Sequence, residues 1–413
     1  MIERLQSDSL RRRSLSNIVI VTYTLFLAGF FFVPNAVDHY KFYIAVVFLP
    51  GLLLLPATLR RARGSLIWQS LLAYLAYMLL SSFWSETFSF ATLWRDVRYT
   101  AYLLSFILLT VFLFEHNRRL PETIMLFVTL VTIVAAIISV VTFQGSTALT
   151  FSAPGSELIG IGTIGNPNPS AFIYGFYGIF ALDYASRHRN TVLGWFCAFG
   201  VLVMFIFVIL SQSNTGFLAL SAACALLFLT DRHSGLIPRR AVIIGLLLSL
   251  GSALFLAWSL GLMGTAVDAG FANRLPIWRH VLQLWLQAPI FGQGYQQTLA
   301  LAPDGTSSIV NYAHSLFLST LRDGGVIGLA LLLLFYFFTL RIALKLTLQK
   351  RRGLYLCLFL FGLICVLADT NQIITRPREL WIIMWLPLAC LMAYELGFQD
   401  EDSAEDSAVT NGL

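Results

Sequence analysis

Two kinds of side chain in this sequence could do acid–base and anion chemistry away from its apolar runs: histidine and arginine. His314 stands in NYAHSLFLSTLRDGGVIGL, where a polar stretch gives way to an apolar one. A neutral imidazole at such a boundary can accept a proton near pH 7. The alternative is an interfacial histidine that only bonds its own loop. Upstream lie Arg274 and Arg279. Guanidinium keeps its charge and offers paired donors, which suits a pyrophosphate. The competing account has both arginines snorkelling from an interfacial helix to lipid headgroups. His280 and His39 are the other histidines on the same side; His39 follows Asp38 in a short connector and is expected to be solvated.

Other chemistries find no support in the pattern. There is no HExxH, no GxSxG and no acidic cluster, and the carboxylates on this side (Asp38, Glu86, Asp96, Glu157, Asp268, Asp304, Asp323, Asp369 and Glu379) are scattered singly. A metal is not indicated, nor is any other cofactor. GGVIG (324–328) lacks the Lys-Ser or Lys-Thr of a phosphate loop, so its glycines are read as breaking the helix after His314 and letting helices approach closely. In GNPNPSA (165–171) Asn166 and Asn168 alternate with prolines and read first as turn formers, with sugar hydroxyls a less favoured use. SQSNTGF puts Ser211, Ser213 and Asn214 in a short turn between two apolar runs. All five cysteines fall inside apolar runs, which argues for packing over disulfides or metal.

The elements that must position these residues follow from composition. The 413 residues are 58% hydrophobic and 12% charged, with mean hydropathy +0.77. That leaves too little polar surface for a water-soluble globule, and runs near the roughly 20 residues of a bilayer-crossing helix recur from end to end. The expected fold is an all-α membrane protein with about twelve transmembrane helices. They are placed near 18–33, 42–58, 65–84, 100–114, 123–143, 171–184, 191–210, 215–230, 241–264, 326–345, 354–368 and 380–396. No small-residue cleavage site follows the first run, so that span is expected to stay. Of the 27 Lys and Arg, 19 fall in loops on the side of the termini and 8 on the other, which puts both termini in the cytoplasm. The net charge of +6 is thereby a matter of topology, and no nucleic acid is expected.

The chain then divides into a cytoplasmic start (1–17), nine spans (18–264), a large outer loop (265–325), three spans (326–396) and an acidic, disordered cytoplasmic tail (397–413). Within the outer loop, Phe271 to Ala288 carries apolar residues at helical spacing and reads as a helix in the interface. Arg95, Arg98, Arg376 and Arg378 also face outward, more positive charge than the topology rule asks for, and an anionic substrate would account for the excess.

Arg274, Trp278, Pro289, Gly292, Gly294, His314, Leu318, Gly325 and Gly328, in that order, resemble the C-terminal motif region of the O-antigen ligase and polymerase superfamily. SSFWSE (81–86), GNPNPSA and LSQSN (210–214) extend the resemblance over most of the chain. It implies a membrane glycosyltransferase of the C-type fold, acting without metal in the outer leaflet of a bacterial inner membrane, with its loop 265–325 in the periplasm. The donor would be a glycan on undecaprenyl diphosphate and the acceptor lipid A-core or another glycan. His314 would be the base and Arg274 the diphosphate clamp. One departure stands out: ligases of this family usually end the LSQSN turn in Ser-Arg, whereas this chain has Asn214. Asn214 could still donate hydrogen bonds, and Arg279, Arg95, Arg98 or Arg378 could supply the charge. A polymerase and a protein glycosyltransferase of the same superfamily are the alternatives. A flippase for lipid-linked sugars ranks lower, because the span interiors hold almost no ionisable groups.

Overall fold

The computed structural model describes residues 2–143, 157–230, 274–296, 299, 313–350, 352–370 and 372–397, and these are helical with no strand among them. The first helix, α1, runs over Ile2–Phe32. A bent pair follows, α2 (Ala36–Gly51) and α3 (Leu55–Ala62), turned by 82° at their break. Next come α4 (Leu66–Ser81), α5 (Phe90–His116), α6 (Leu120–Val141) and α7 (Pro167–Arg187). α8 (Val192–Leu210) and α9 (Asn214–Thr230) complete the N-terminal part. After residues 231–273, α10 (Arg274–Gln287), α11 (Leu316–Lys350), α12 (Leu354–Asp369) and α13 (Trp381–Gly397) finish the chain.

Six described helices are long and apolar enough to cross a bilayer, or seven with the bent pair as one span. Length and hydropathy among the described residues therefore do not confirm the expected count of twelve. α9, α12 and α13 occupy expected positions at about their expected lengths, as apolar helices too short to be counted among the six. The span expected at 241–264 and the tail 398–413 lie outside the described residues. α7 shows why hydropathy alone undercounts. From Ser170 to Ala181 every residue is buried, and α8, α9 and α12 pack around it. A helix surrounded by protein can keep Tyr174, Tyr177 and two glycines, because it presents little surface to lipid.

Polar groups at the helix ends are spent on fixing the bundle. Ser65 caps α4 by accepting from the Trp68 N–H at 3.1 Å, and Glu395 on α13 accepts from the Leu66 N–H at 3.0 Å. A carboxylate at a helix N-terminus satisfies donors the helix cannot and meets the favourable end of its dipole. Arg187 joins α7 to α6 through Glu122 at 2.6 Å while also holding Asp183 at 2.7 Å. The apolar interior is continuous from Val19 to Leu396. The five cysteines are free and buried, four of them within it and Cys197 in a small cluster with Ala181 and Ala185.

Candidate active site

The motif glycines form a seam of backbone against backbone. α11 is kinked at Gly325, whose φ is +61°. The turn after α10 lies against that kink: Gln293 and Gly294 donate to the carbonyls of Arg322 and Asp323, both at 2.9 Å, and Val326 donates to Pro289 at 2.9 Å. A Cβ on Gly325 would stand 2.2 Å from the Ile290 carbonyl oxygen. On Gly292, where φ is +73°, it would meet Asp323 and Gly325 backbone at 2.4 Å. Only glycine fits these two positions, by conformation and by space.

SSFWSE braces the seam from the side. Trp84 Nε1 donates to the Gly292 carbonyl at 3.2 Å, and the Ser81 hydroxyl accepts from the Tyr295 N–H at 3.1 Å. Tyr77, one turn earlier on α4, donates to the carbonyls of Gly324 at 2.9 Å and Phe291 at 3.1 Å. Tyr295 itself is buried, which holds its phenol well above the usual range and keeps it neutral.

His314 stands immediately before α11, with Ser315 as the capping residue whose carbonyl accepts from the Ser319 N–H at 2.9 Å. Its φ of +50° is left-handed, as are those of Gln212 at +55° and Gln296 at +66°. Such backbones cost roughly 1–3 kcal/mol each and persist where the surroundings over-determine them. Here the constraint is visible: His314 Nδ1 lies 2.9 Å from Asp369 Oδ1, at the C-terminal end of α12. An ionised carboxylate only accepts, so Nδ1 is the donor and the imidazole lone pair falls on Nε2. Both side chains are partly buried, at 28% and 12% exposure, so the pair is neither in bulk water nor sealed away.

α10 packs against this segment. Trp278 Nε1 donates to the carbonyl of Ala313, the residue before the histidine, at 3.0 Å. Ile277, Val281, Leu299 and Ala313 form a small apolar core beneath the contact. Arg274 lies one turn before Trp278 on the same stripe, half-buried, and no carboxylate among the described residues pairs with it. Residues four apart on a helix are neighbours, so Arg274 shares the face of α10 that carries Trp278. Arg279 is exposed, off that stripe.

A second polar assembly lies where α5 meets the segment after Asp369. Arg95 donates through Nε to Asp96 at 3.0 Å and through Nη2 to the Gln296 side-chain carbonyl, while Gln296 donates back to Asp96 at 2.6 Å. Asp96 is buried at 1% exposure. Arg378 holds Glu379 at 2.7 Å. Arg95 and Arg378 share a cleft of about 320 Å³ with Arg376, Gln296, Gln372 and Thr375.

The structure therefore brings together some of the expected residues and not others. Arg274 and His314 fall on packed segments, and Arg95 and Arg378 share the cleft. Arg98 is exposed and does not line it. Asn214 is the exposed first residue of α9, whose first turn is capped by Ser213 accepting from the Gly216 N–H at 3.2 Å. Asn166 is used as a cap, accepting from the Asn168 N–H at 3.1 Å. Two expectations need correction. His39 is buried rather than solvated, with Nε2 2.8 Å from the Phe26 carbonyl oxygen and its ring stacked on Phe26. The outer carboxylates are not all single: Asp369, Asp96, Asp323 and Glu379 each meet a cation or histidine. Among the described residues no group of three or more His, Cys, Asp or Glu is placed to hold a metal.

The partner of the histidine, Asp369, and the cleft residues Gln296 and Gln372 were not singled out as site residues from sequence, whereas Arg376 was noted there only as part of the outward positive charge. The available signal was a carboxylate closing an apolar run at 369, with the polar group NQ (371–372) directly after it.

Comparison with known proteins places the chain among similar sequences. The family model for O-antigen ligase matches residues 199–333, a stretch that holds α10, the glycine turn, His314 and the Gly325 kink. An O-antigen ligase of Pseudomonas aeruginosa is 27% identical over 404 residues, which cover 95% of this chain and 94% of that protein. With its helical bundle, its motif glycines in one seam and a likeness that runs nearly end to end, the chain is similar to the O-antigen ligases, a superfamily of glycosyltransferase-like membrane enzymes.

Proposed function

We propose that the protein joins O-antigen glycan, carried on undecaprenyl diphosphate, to lipid A-core at the periplasmic face of the inner membrane. The observation that carries this reading is the His314–Asp369 pair held at 2.9 Å beside the helix that presents Arg274. Asp369 fixes the imidazole so that Nε2 accepts the proton of the acceptor hydroxyl. The acceptor oxygen forms its bond to the anomeric carbon as the bond from that carbon to the diphosphate breaks, and the electron pair leaves with the diphosphate. Arg274 binds the charge that gathers there. A lipid diphosphate is a good leaving group once its charge is neutralised, so positioning, one base and cations suffice and no nucleotide is consumed.

The same chemistry would serve a polymerase, with the growing glycan as acceptor. Deleting the gene and resolving the host's lipopolysaccharide on a gel separates the readings. The ligase reading expects bare core with accumulated lipid-linked polymer, reversed by wild-type complementation. Core carrying a single repeat unit would assign polymerisation instead, and an unchanged pattern would overturn both. The division into a catalytic loop at 265–325 flanked by spans, with both termini cytoplasmic, belongs to this proposal. Cysteine labelling from the periplasmic side tests it: a cysteine at Arg279 should react and one at Arg61 should not.

A further inference from the structure

The cleft between α5 and residues 372–378 is built for a ligand that the His314 centre does not explain. Neither His314 nor Arg274 lines it. Three guanidiniums (Arg95, Arg376 and Arg378) meet two carboxylates (Asp96 and Glu379), so the cleft keeps a modest positive charge. A diphosphate asks for more than that, whereas one phosphate on a sugar is matched. Around the cations stand groups that read hydroxyls: the amides of Gln296 and Gln372. Arg376 is exposed, and no carboxylate among the described residues pairs with it. The volume of about 320 Å³ lies at the small end of ligand sites, the size of a headgroup and not of a polymer.

The depth of the cleft narrows the ligand further. Trp94, at 63% exposure, directly precedes Arg95 on α5, and Phe90 and Phe83, at 76% and 56%, lie close by in the chain. An exposed tryptophan such as Trp94, at the start of an apolar helix, marks the headgroup level of a bilayer. A polar cleft at that level is reached by the head of a molecule whose tails stay in the membrane.

We propose that this cleft is the acceptor subsite, and that it takes the phosphorylated sugar headgroup of a glycolipid. The placement rests on the transferase reading above for the word acceptor, but not for the binding. Arg376 supplies the guanidinium that meets the phosphate, with Arg95 held ready by Asp96 and Gln296.

The test uses the full-length protein in lipid nanodiscs with phosphorylated lipid A-core, the same glycolipid after phosphatase treatment, phosphatidylglycerol and inorganic phosphate as probes. In direct binding without donor, Arg376→Ala should weaken the phosphorylated glycolipid by on the order of tenfold, and Gln372→Ala by less. Dephosphorylation should cost the wild type a similar factor and cost Arg376→Ala nothing further. In transfer assays the same substitution should raise the KM for the acceptor and not that for the lipid diphosphate donor. A rise in the donor KM alone would assign the cleft to the diphosphate and overturn the proposal. Equal displacement by phosphatidylglycerol or by inorganic phosphate would show a general anion site and overturn it too. Because binding is read without turnover, loss of transfer with every acceptor would sink the transferase reading while the binding result still decides the cleft.

Discussion

Asn166 and His314 both stand in a polar turn just before a helix, both belong to motifs that drew attention in the sequence, and the structure uses them in opposite ways. The polar atom of Asn166 is consumed two residues away, on the backbone of its own helix. Ser213 is spent likewise. The imidazole of His314 instead reaches a carboxylate 55 residues on, from a left-handed backbone that local structure alone would not choose. A motif residue whose hydrogen bond closes locally is part of the scaffold. One whose partner comes from another helix, at a strained position, is a candidate for chemistry.

The contrast orders the expected effects of mutation. His314→Ala should lower transfer by at least 10²–10⁴-fold, the range for a general base, at unchanged membrane insertion. Wild-type turnover from that variant would erase the distinction. Between the two arginines of α10 the difference should also be large. Arg274→Ala should remove most activity and Arg274→Lys should restore only part, since an ammonium lacks the paired fork, whereas Arg279→Ala should fall within a few-fold of wild type. Comparable losses at both positions would mean that the buried stripe of α10 is irrelevant to selectivity.

Gly325→Ala tests the seam that holds α10 against α11. A side chain at positive φ with a carbonyl at 2.2 Å should destabilise by more than about 1 kcal/mol, read as a lower apparent Tm in detergent and reduced yield. The smallest effect belongs to Asn166→Ala, about 1 kcal/mol of helix stability from a lost cap, with transfer per folded molecule unchanged. Loss of turnover in that variant at full stability would move Asn166 to the chemical side of the comparison.

How much of this was legible in the sequence depends on the range of the interactions. Apolar length and charged ends placed the helices, because a helix in lipid satisfies its own backbone and leaves a local signal. α10 was legible from its spacing, and Asn166 from turn chemistry. Pairings across the bundle were not: Asp369 closes an apolar run like any helix-end carboxylate, and only the packing of α12 beside α11 makes it the partner of His314. The same holds for His39, whose neighbour Asp38 implies water while its ring lies buried against Phe26. α7 was placed from sequence at 171–184, although as a helix enclosed by others it falls short of the hydropathy of one facing lipid.

The central claim, that Asp369 holds His314 as the base for transfer, is tested most directly by a double-mutant cycle on transfer rate with Asp369→Asn, His314→Ala and the pair together. If the two act as one unit, Asp369→Asn alone should cost roughly 10–100-fold. Added to His314→Ala, it should cost almost nothing more. Full multiplication of the two losses would contradict the pairing, and an Asp369→Asn variant with wild-type turnover would remove it.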